Sequence, residues 1–353
     1  MMKAAVLREF NKPLSLESVP VPTIGETDVL IKVKAVGICQ SDLHLWHGSS
    51  AEIDKIPLIM GHECAGVIER VGDSVKRIKP RDRVVMDYRI TCGECYYCNA
   101  GKTNLCDSAT DIGANRDGGY AEYVAVPSRQ VFPLPEEVTF EEGAITGCAV
   151  VTAYHATRRV ADLRSDESVA VIGIGGVGYH ILKCARALGA GRMIAVDVDD
   201  RKLARAARLG AETINPKQEP ADKLIKRMTG DEGVDVAFEA IGLPRTIESA
   251  IRSAARCGRV VIAGVCTQKV EITPWQDMMF ASRIRNSGKE IQVRPSIDHL
   301  RTDIQEILEL VRQRKVDLSD SITHRLPLDE ATRGLEMLDK KTGDLVRIVL
   351  LPG

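Results

Sequence analysis

Long apolar runs are missing from this chain. No stretch of its 353 residues approaches the roughly 20 that a membrane-spanning helix requires, and residues 1–6, MMKAAV, lack the long apolar core of a secretory signal. An excess of one charge is missing too. With 48 Lys+Arg against 49 Asp+Glu, no net field favours nucleic acid, an anionic membrane or a polyanionic substrate. Internal repeats and low-complexity tracts are likewise absent. Together these absences argue against nucleic-acid and membrane partners and set the expectation of a cytoplasmic protein that acts on small molecules.

What is present is ordinary in bulk, with 44% hydrophobic and 27% charged residues, and informative in pattern. The length suits two domains with separate cores and a cleft between them. Up to about residue 135 the chain reads as short strands punctuated by Pro and Gly, for example 29–36, 66–72 and 83–86, a barrel-like all-β texture. From about residue 168 apolar strands at 169–172, 193–196, 234–238 and 259–262 alternate with helical stretches such as 177–188 and 201–209. That alternation predicts right-handed crossovers and a parallel sheet. Past residue 293 an amphipathic helix at 303–312 precedes strand-like segments at 322–326 and 345–350. The expected fold class is α/β: a mostly-β domain from residues 1–150, to which 293–353 return, and a doubly wound parallel-sheet domain from 151–292.

Gly173, Gly175, Gly176, Val177 and Gly178 follow the strand 169–172 directly and open a helical stretch. In that context the glycines permit a tight turn and close backbone approach to a pyrophosphate, which the unpaired N–H groups and positive end of the next helix would hold. Nineteen residues past Gly178, Asp197 ends the next apolar strand. A carboxylate there accepts hydrogen bonds from ribose hydroxyls and repels a 2′-phosphate, so NAD is favoured over NADP. The competing reading is a generic glycine turn followed by a helix-capping Asp.

Ten cysteines in a cytosolic chain are better suited to metal than to disulfides. Cys92, Cys95, Cys98 and Cys106 put four thiolates within fifteen residues, a tetrahedral zinc set with no open position; a redox CxxC is the rival reading. Cys39, His62 and Cys148 lie far apart, and each alone is more often a buried small residue. Two thiolates and an imidazole are nevertheless the donor types of a zinc site with one exchangeable position. Their weight comes from the four-Cys cluster and the glycine loop in the same chain. Cys64, Cys184, Cys257 and Cys266 fit no ligand spacing and are read as small buried residues.

At this point the chain resembles the zinc-dependent medium-chain dehydrogenases, alcohol dehydrogenase branch, over essentially its whole length. The resemblance is carried by residues 37–44 (GICQSDLH), 61–63 (GHE), the four-Cys lobe, Gly147-Cys148 with Thr152, the glycine loop with Asp197, and residues 343–347 (GDLVR). It implies a GroES-like catalytic domain split around a Rossmann domain, with two Zn per subunit, a catalytic ion on Cys39, His62 and Cys148 and a structural ion in the four-Cys lobe. Glu63 then either ligates the catalytic ion transiently or stays just outside the ligand set. Ser41 would contact the substrate oxygen and pass its proton, by way of the cofactor ribose, to His44. Thr152 and Val265 would lie at the nicotinamide, Lys202 at the adenosine ribose and Arg347 at the pyrophosphate. Relatives with this pattern often form tetramers rather than dimers.

Departures from the family pattern narrow the substrate. Polyol and threonine dehydrogenases usually place Glu where this chain has Cys148, which favours the alcohol branch. Ser50 stands where ethanol-specific enzymes carry Trp, while Tyr88 keeps an aromatic wall, so the resemblance implies a roomier pocket. Gln40 removes a charge that some relatives place beside the pyrophosphate. The expected reaction is reversible NAD-linked oxidation of primary or secondary alcohols to aldehydes or ketones. The alternatives are a polyol or glutathione-adduct dehydrogenase and, more remotely, a non-catalytic NAD-binding protein.

Overall fold

The computed structural model describes residues 1–49, 55–282 and 287–353. It divides into two compact units, Met1–Val151 with His299–Gly353 and Thr152–Asp298.

The first unit is built on the strands Asp28–Ile38 and Glu63–Val71, which pair antiparallel. They are the centre of a seven-stranded sheet in the order Val131–Pro133, Arg83–Met86, Glu63–Val71, Asp28–Ile38, Arg347–Leu351 and Ile322–Pro327, with Tyr123–Pro127 also pairing with Asp28–Ile38. Arg347–Leu351 pairs antiparallel with Asp28–Ile38, so the end of the chain completes a sheet begun near its start. A second sheet joins Ser15–Val19, Met2–Leu7 and Leu58–Ile59. Leu7, Ile31, Ile38, Ile68 and Met86 fill the core between them; each such side chain, fully buried, stabilises the fold by about 1.5–3 kcal/mol.

Helical segments interrupt the stretch up to about residue 135 that reads as all-β in sequence, and others follow that stretch. Gln40–Trp46 follows directly on the long strand, with Cys39 at its N-cap. Phe140–Ile145 starts from a capping box in which the Thr139 hydroxyl accepts from the Glu142 N–H at 3.1 Å and the Glu142 carboxylate accepts from the Thr139 N–H at 2.9 Å. It runs on through a wide π-helical turn, Thr146–Val150, into Val151–His155. Such turns often occur at functional positions, and this one carries Cys148.

In the second unit the strands Glu212–Ile214, Arg192–Val196, Ser168–Ile172, Val234–Glu239, Ala254–Ile262 and Gln292–Pro295 form one sheet in that order. Every pair in it is parallel. In order along the unit this is 3-2-1-4-5-6, the doubly wound dinucleotide-binding order, and it reverses between Ser168–Ile172 and Val234–Glu239. Because Gln292–Pro295 pairs with Ala254–Ile262 as the sixth strand, the chain stays in this unit through Asp298 and returns later than residue 293, where sequence reading placed the crossing. Among the described residues no helix is long and apolar enough to cross a membrane.

The turn after Ser168–Ile172 is tight. Gly173 has φ +96, and a Cβ on Gly178 would lie 1.8 Å from the Gly173 carbonyl oxygen. Gly178→Ala is therefore expected to destabilise the chain by about 1–3 kcal/mol through overpacking, read as a lower urea midpoint; an unchanged midpoint would contradict this packing.

Candidate functional site

The first unit gathers Cys39, His62, Glu63 and Cys148 so that one ligand atom from each lies within 4.8 Å of all the others. Three local features bring them there. Cys39 sits where the long strand turns into the helix Gln40–Trp46, and Gly61, at φ +93, sets the corner before His62 and the strand Glu63–Val71. Gly147 lets the wide helical turn approach the sheet, since a Cβ there would lie 2.8 Å from the Met86 carbonyl oxygen. Gly37 pairs with Glu63 across the ladder and with Val349 on its other side. A Cβ on Gly37 would lie 1.9 Å from Glu63 Oε2, so the glycine makes room for the carboxylate to reach Arg347. The Arg347 Nη2 donates to Glu63 Oε2, and both residues are buried.

These groups set one another's charge. The neighbouring Cys148 thiol, as hydrogen-bond donor, lowers the pKa of Cys39 well below the ordinary thiol range, against burial and with help from His62 and Arg347. The same contact raises Cys148. Burial opposes a charged His62, but the Asp42 carboxylate and the Cys39 thiolate outweigh it and raise its pKa. Burial raises the Glu63 carboxyl to about 7, with Arg347 pulling the other way. The Glu63 Oε1 is buried and has no hydrogen-bond partner among the described residues. Thiolate, imidazole and an unsatisfied carboxylate oxygen around one point form a donor set that fits a zinc ion.

Ser41 and Tyr88 also belong to this group. The Ser41 hydroxyl lies 3.3 Å from His62 Nε2, and the Tyr88 ring meets the His62 ring edge-on at 5.0 Å between centroids. Tyr88 packs in turn on His299 at 5.7 Å. His44 follows Ser41 on the same helix and is exposed. Ser50 lies outside the described residues.

The four-Cys lobe is separate. Cys92, Cys95, Cys98 and Cys106 again place one sulfur each within 4.8 Å of the others, and none is in a disulfide. Backbone N–H groups point at the sulfurs: the Cys95 N–H donates to Cys92 at 3.3 Å and the Cys98 N–H to Cys95 at 3.4 Å. Backbone N–H groups of Glu94 and Cys95 lower the Cys92 thiol to about 6. Four sulfurs held in this way suit a closed structural ion.

In the second unit the Ile174 N–H donates to Asp197 Oδ2 at 2.8 Å, so the carboxylate closing Arg192–Val196 touches the glycine loop. Lys202 Nζ is 3.6 Å from the same oxygen. Around Gly175, which caps the helix Gly176–Ala187, a Cβ would meet nothing within 4 Å; the backbone is open there, as close approach of a pyrophosphate requires. Val265 is exposed, and Thr152 opens the unit.

Two residues escape sequence reading. Asp42 is fully buried; its Oδ2 accepts from the Cys39 N–H at 2.8 Å and its Oδ1 faces His62 Nδ1 at 3.4 Å, leaving Nε2 toward the ligand group. A carboxylate behind a ligating histidine fixes its ring and tautomer. The available signal is Cys39-x-x-Asp42, which reads as a plain capping box. Glu239 ends the strand at the sheet's reversal point and is buried. Its Oε1 accepts from the Ile241 N–H, the Gly242 N–H and the Thr246 hydroxyl at 2.9, 2.8 and 2.7 Å, while its carbonyl accepts from the Ala263 and Gly264 N–H groups. It thereby ties together the loops on either side of Val265, and no sequence motif marks it.

Known proteins share this arrangement. A family described as Alcohol dehydrogenase GroES-like domain matches residues 25–136, and one described as Zinc-binding dehydrogenase matches residues 176–318. An alcohol dehydrogenase of Geobacillus stearothermophilus is 37% identical over 89% of this chain and 90% of its own. A sorbitol dehydrogenase of Bacillus subtilis (strain 168) is 38% identical over 76% of each. A solved structure from Sinorhizobium meliloti 1021, bound to NADP, matches with a TM-score of 0.89 at 31% identity, covering 100% of this chain and 99% of that one. Fold and site thus define a zinc-binding oxidoreductase with a GroES-like unit and a Rossmann unit. The chain belongs to the zinc-dependent medium-chain dehydrogenase family.

The buried Glu63–Arg347 pair makes the site sensitive to losing one partner. Arg347→Met leaves a buried carboxyl uncompensated and is expected to cost about 3–5 kcal/mol in urea unfolding. Adding Glu63→Gln should recover part of that loss; a double variant no more stable than Arg347→Met would mean that the pair is not the cause.

Proposed function

We propose that the protein is an NAD-dependent alcohol dehydrogenase that reversibly converts primary or secondary alcohols to aldehydes or ketones. The observation that carries this reading is the convergence of Cys39, His62 and Cys148 on one point in the first unit, in a chain whose second unit is wound for a dinucleotide. When bound, zinc supplies a Lewis acid that acidifies an alcohol hydroxyl or polarises a carbonyl, and the nicotinamide supplies the hydride acceptor or donor.

The chain's own residues do the rest. Cys39, His62 and Cys148 would hold the catalytic ion, three protein donors being the set that leaves room for a substrate, and Cys92, Cys95, Cys98 and Cys106 would hold a second, structural ion. Ser41, whose hydroxyl already lies against His62 Nε2, would take the proton of the substrate hydroxyl as it gives its own to the cofactor ribose, and exposed His44 on the same helix would take the proton from the ribose and release it to solvent. The alcohol carbon gives up hydride as that proton leaves, so atoms and charge balance. Glu63 acts beside the ligands, with its free Oε1 available to the ion. Asp197 and Lys202 bind the adenosine ribose, Gly173 to Gly178 and Arg347 the pyrophosphate, and Thr152 and Val265 the nicotinamide ring. Asp197 closing its strand supports NAD over NADP, although a relative binds NADP. Tyr88, edge-on to His62, is the aromatic wall of the substrate pocket. Assembly into tetramers belongs to the same reading and is checked by sedimentation.

A polyol substrate is the second reading, favoured by the likeness to a sorbitol dehydrogenase. Rates across primary and secondary alcohols, polyols and hydroxymethylglutathione, each with NAD and NADP, separate the two, and turnover confined to polyols would remove the alcohol assignment. Cys148→Ser is expected to lower kcat by at least about 100-fold while NAD still binds, with zinc per chain falling from two to one by elemental analysis. Unchanged turnover would take Cys148 out of the ligand set.

A further inference from the structure

Glu239 ends its strand at the point where strand order reverses, and it bonds in two directions. Its Oε1 accepts from the Ile241 and Gly242 N–H groups and the Thr246 hydroxyl. Its backbone carbonyl accepts from the Ala263 N–H at 2.8 Å and the Gly264 N–H at 3.1 Å. One residue therefore holds both the loop after its own strand and the loop after Ala254–Ile262. These two loops meet backbone to backbone. A Cβ on Gly242 would lie 2.1 Å from the Val265 carbonyl oxygen, and one on Gly264 would lie 2.2 Å from the Gly242 nitrogen.

The first of these loops is also seated against the dinucleotide turn. The Ala240 N–H donates to the Ile172 carbonyl at 2.9 Å, just before Gly173, and a Cβ on Gly173 would lie 2.3 Å from Ile241 Cγ1. A continuous row of contacts thus runs from the glycine turn through Ile241 and Gly242 to Val265, whose side chain is exposed. The pyrophosphate belongs at one end of that row and, on the proposed reading, the nicotinamide at the other. Stability alone does not account for the acid at its centre. Glu239 Oε2 is buried with no hydrogen-bond partner among the described residues, and an unpaired buried carboxylate oxygen is costly.

We propose that Glu239 is a positioning residue for the nicotinamide half of the cofactor: by locking residues 241–242 and 263–264 together, it presents Val265 at one fixed distance from the glycine turn. The proposal deepens the reading of Val265 as a nicotinamide contact and rests on it. Glu239 is fully buried and acts only through the two loops; loops held in place beforehand spare the cofactor the cost of ordering them. Glutamine keeps the shape of the side chain and gives up its charge, so the bonds to the two N–H groups and the hydroxyl weaken. A methyl group on Gly242, where φ is +85, would drive the same loops apart from the other side.

The test is binding of two probes to the full-length protein: NADH and ADP-ribose, which share the adenosine and the pyrophosphate and differ in the nicotinamide. Glu239→Gln is expected to weaken NADH binding by roughly tenfold and, because the adenosine end is a separate site, to leave ADP-ribose within about twofold of wild type. Gly242→Ala, which disturbs the same loops without altering the carboxylate, should show the same split. The emission of bound NADH gives a second readout, since a ring held less firmly at Val265 emits more like free NADH in both variants. Wild-type NADH affinity in either variant would overturn the proposal. Equal weakening of the two probes would overturn it too, because Glu239 would then brace the whole unit and not the nicotinamide end. A wild-type protein that binds NADH no more tightly than ADP-ribose would overturn the reading of Val265 as a nicotinamide contact, and the positioning role with it.

Discussion

Two buried opposite charges organise the first unit. Glu63 and Arg347 come from strands far apart in sequence, and they meet because Gly37, on the strand between them, has no side chain to keep them apart. A carboxylate and a guanidinium removed from water are tolerated only together. The final strand must therefore lie beside Asp28–Ile38 in one register, since a one-residue slip would send Arg347 to the opposite face. The same register places Cys39 at the end of one strand and His62 just before the start of the next. The pair that closes the sheet thus also fixes the spacing of the ligand group.

Around that pair the site is a negotiation of charge in a dry place. Cys39, His62, Glu63 and Arg347 raise or lower one another more than water would allow, with the Asp42 carboxylate acting on His62 from behind. On the proposed reading, a divalent cation at their centre would supply positive charge to the Cys39 thiolate and the Glu63 carboxylate and favour loss of the Cys148 proton. Ser41, 3.3 Å from His62, and Tyr88, edge-on to it, give that ring one polar and one apolar neighbour. The contrast with the four-Cys lobe is chemical: four sulfurs ringed by backbone N–H groups offer an ion a complete coordination shell, whereas two sulfurs and a nitrogen do not.

The second unit reaches its site by backbone rather than by side chains. Its glycines matter for opposite reasons. Gly178 is pressed against the Gly173 carbonyl, while Gly175 meets nothing. Asp197 links the loop to the next strand, and Glu239 braces the loops across the reversal of strand order. The proposed function accordingly assigns substrate chemistry to the unit rich in side-chain donors and cofactor geometry to the unit rich in exposed backbone, as an alcohol and a pyrophosphate would each require.

Local pattern determined a good deal from the sequence by itself. Strands at 169–172, 193–196, 234–238 and 322–326 and the helix at 303–312 are legible because apolar periodicity and glycine punctuation act over a few residues. The four-Cys lobe and the glycine loop are legible because their ligands and donors are neighbours in the chain. Cys39, His62 and Cys148 were reached through donor type set beside the four-Cys cluster and the glycine loop, and then through likeness to a family, since nothing local marks them as a set. Tertiary structure alone decided the sixth strand at Gln292–Pro295, the contact of Arg347 with Glu63, and the placing of Asp42 and Glu239. Each depends on which segments lie side by side, and a buried carboxylate reads the same in sequence whether it caps a helix, braces a loop or aligns a histidine. What separates those roles is the partner across the fold, and long-range register, not composition, chooses it.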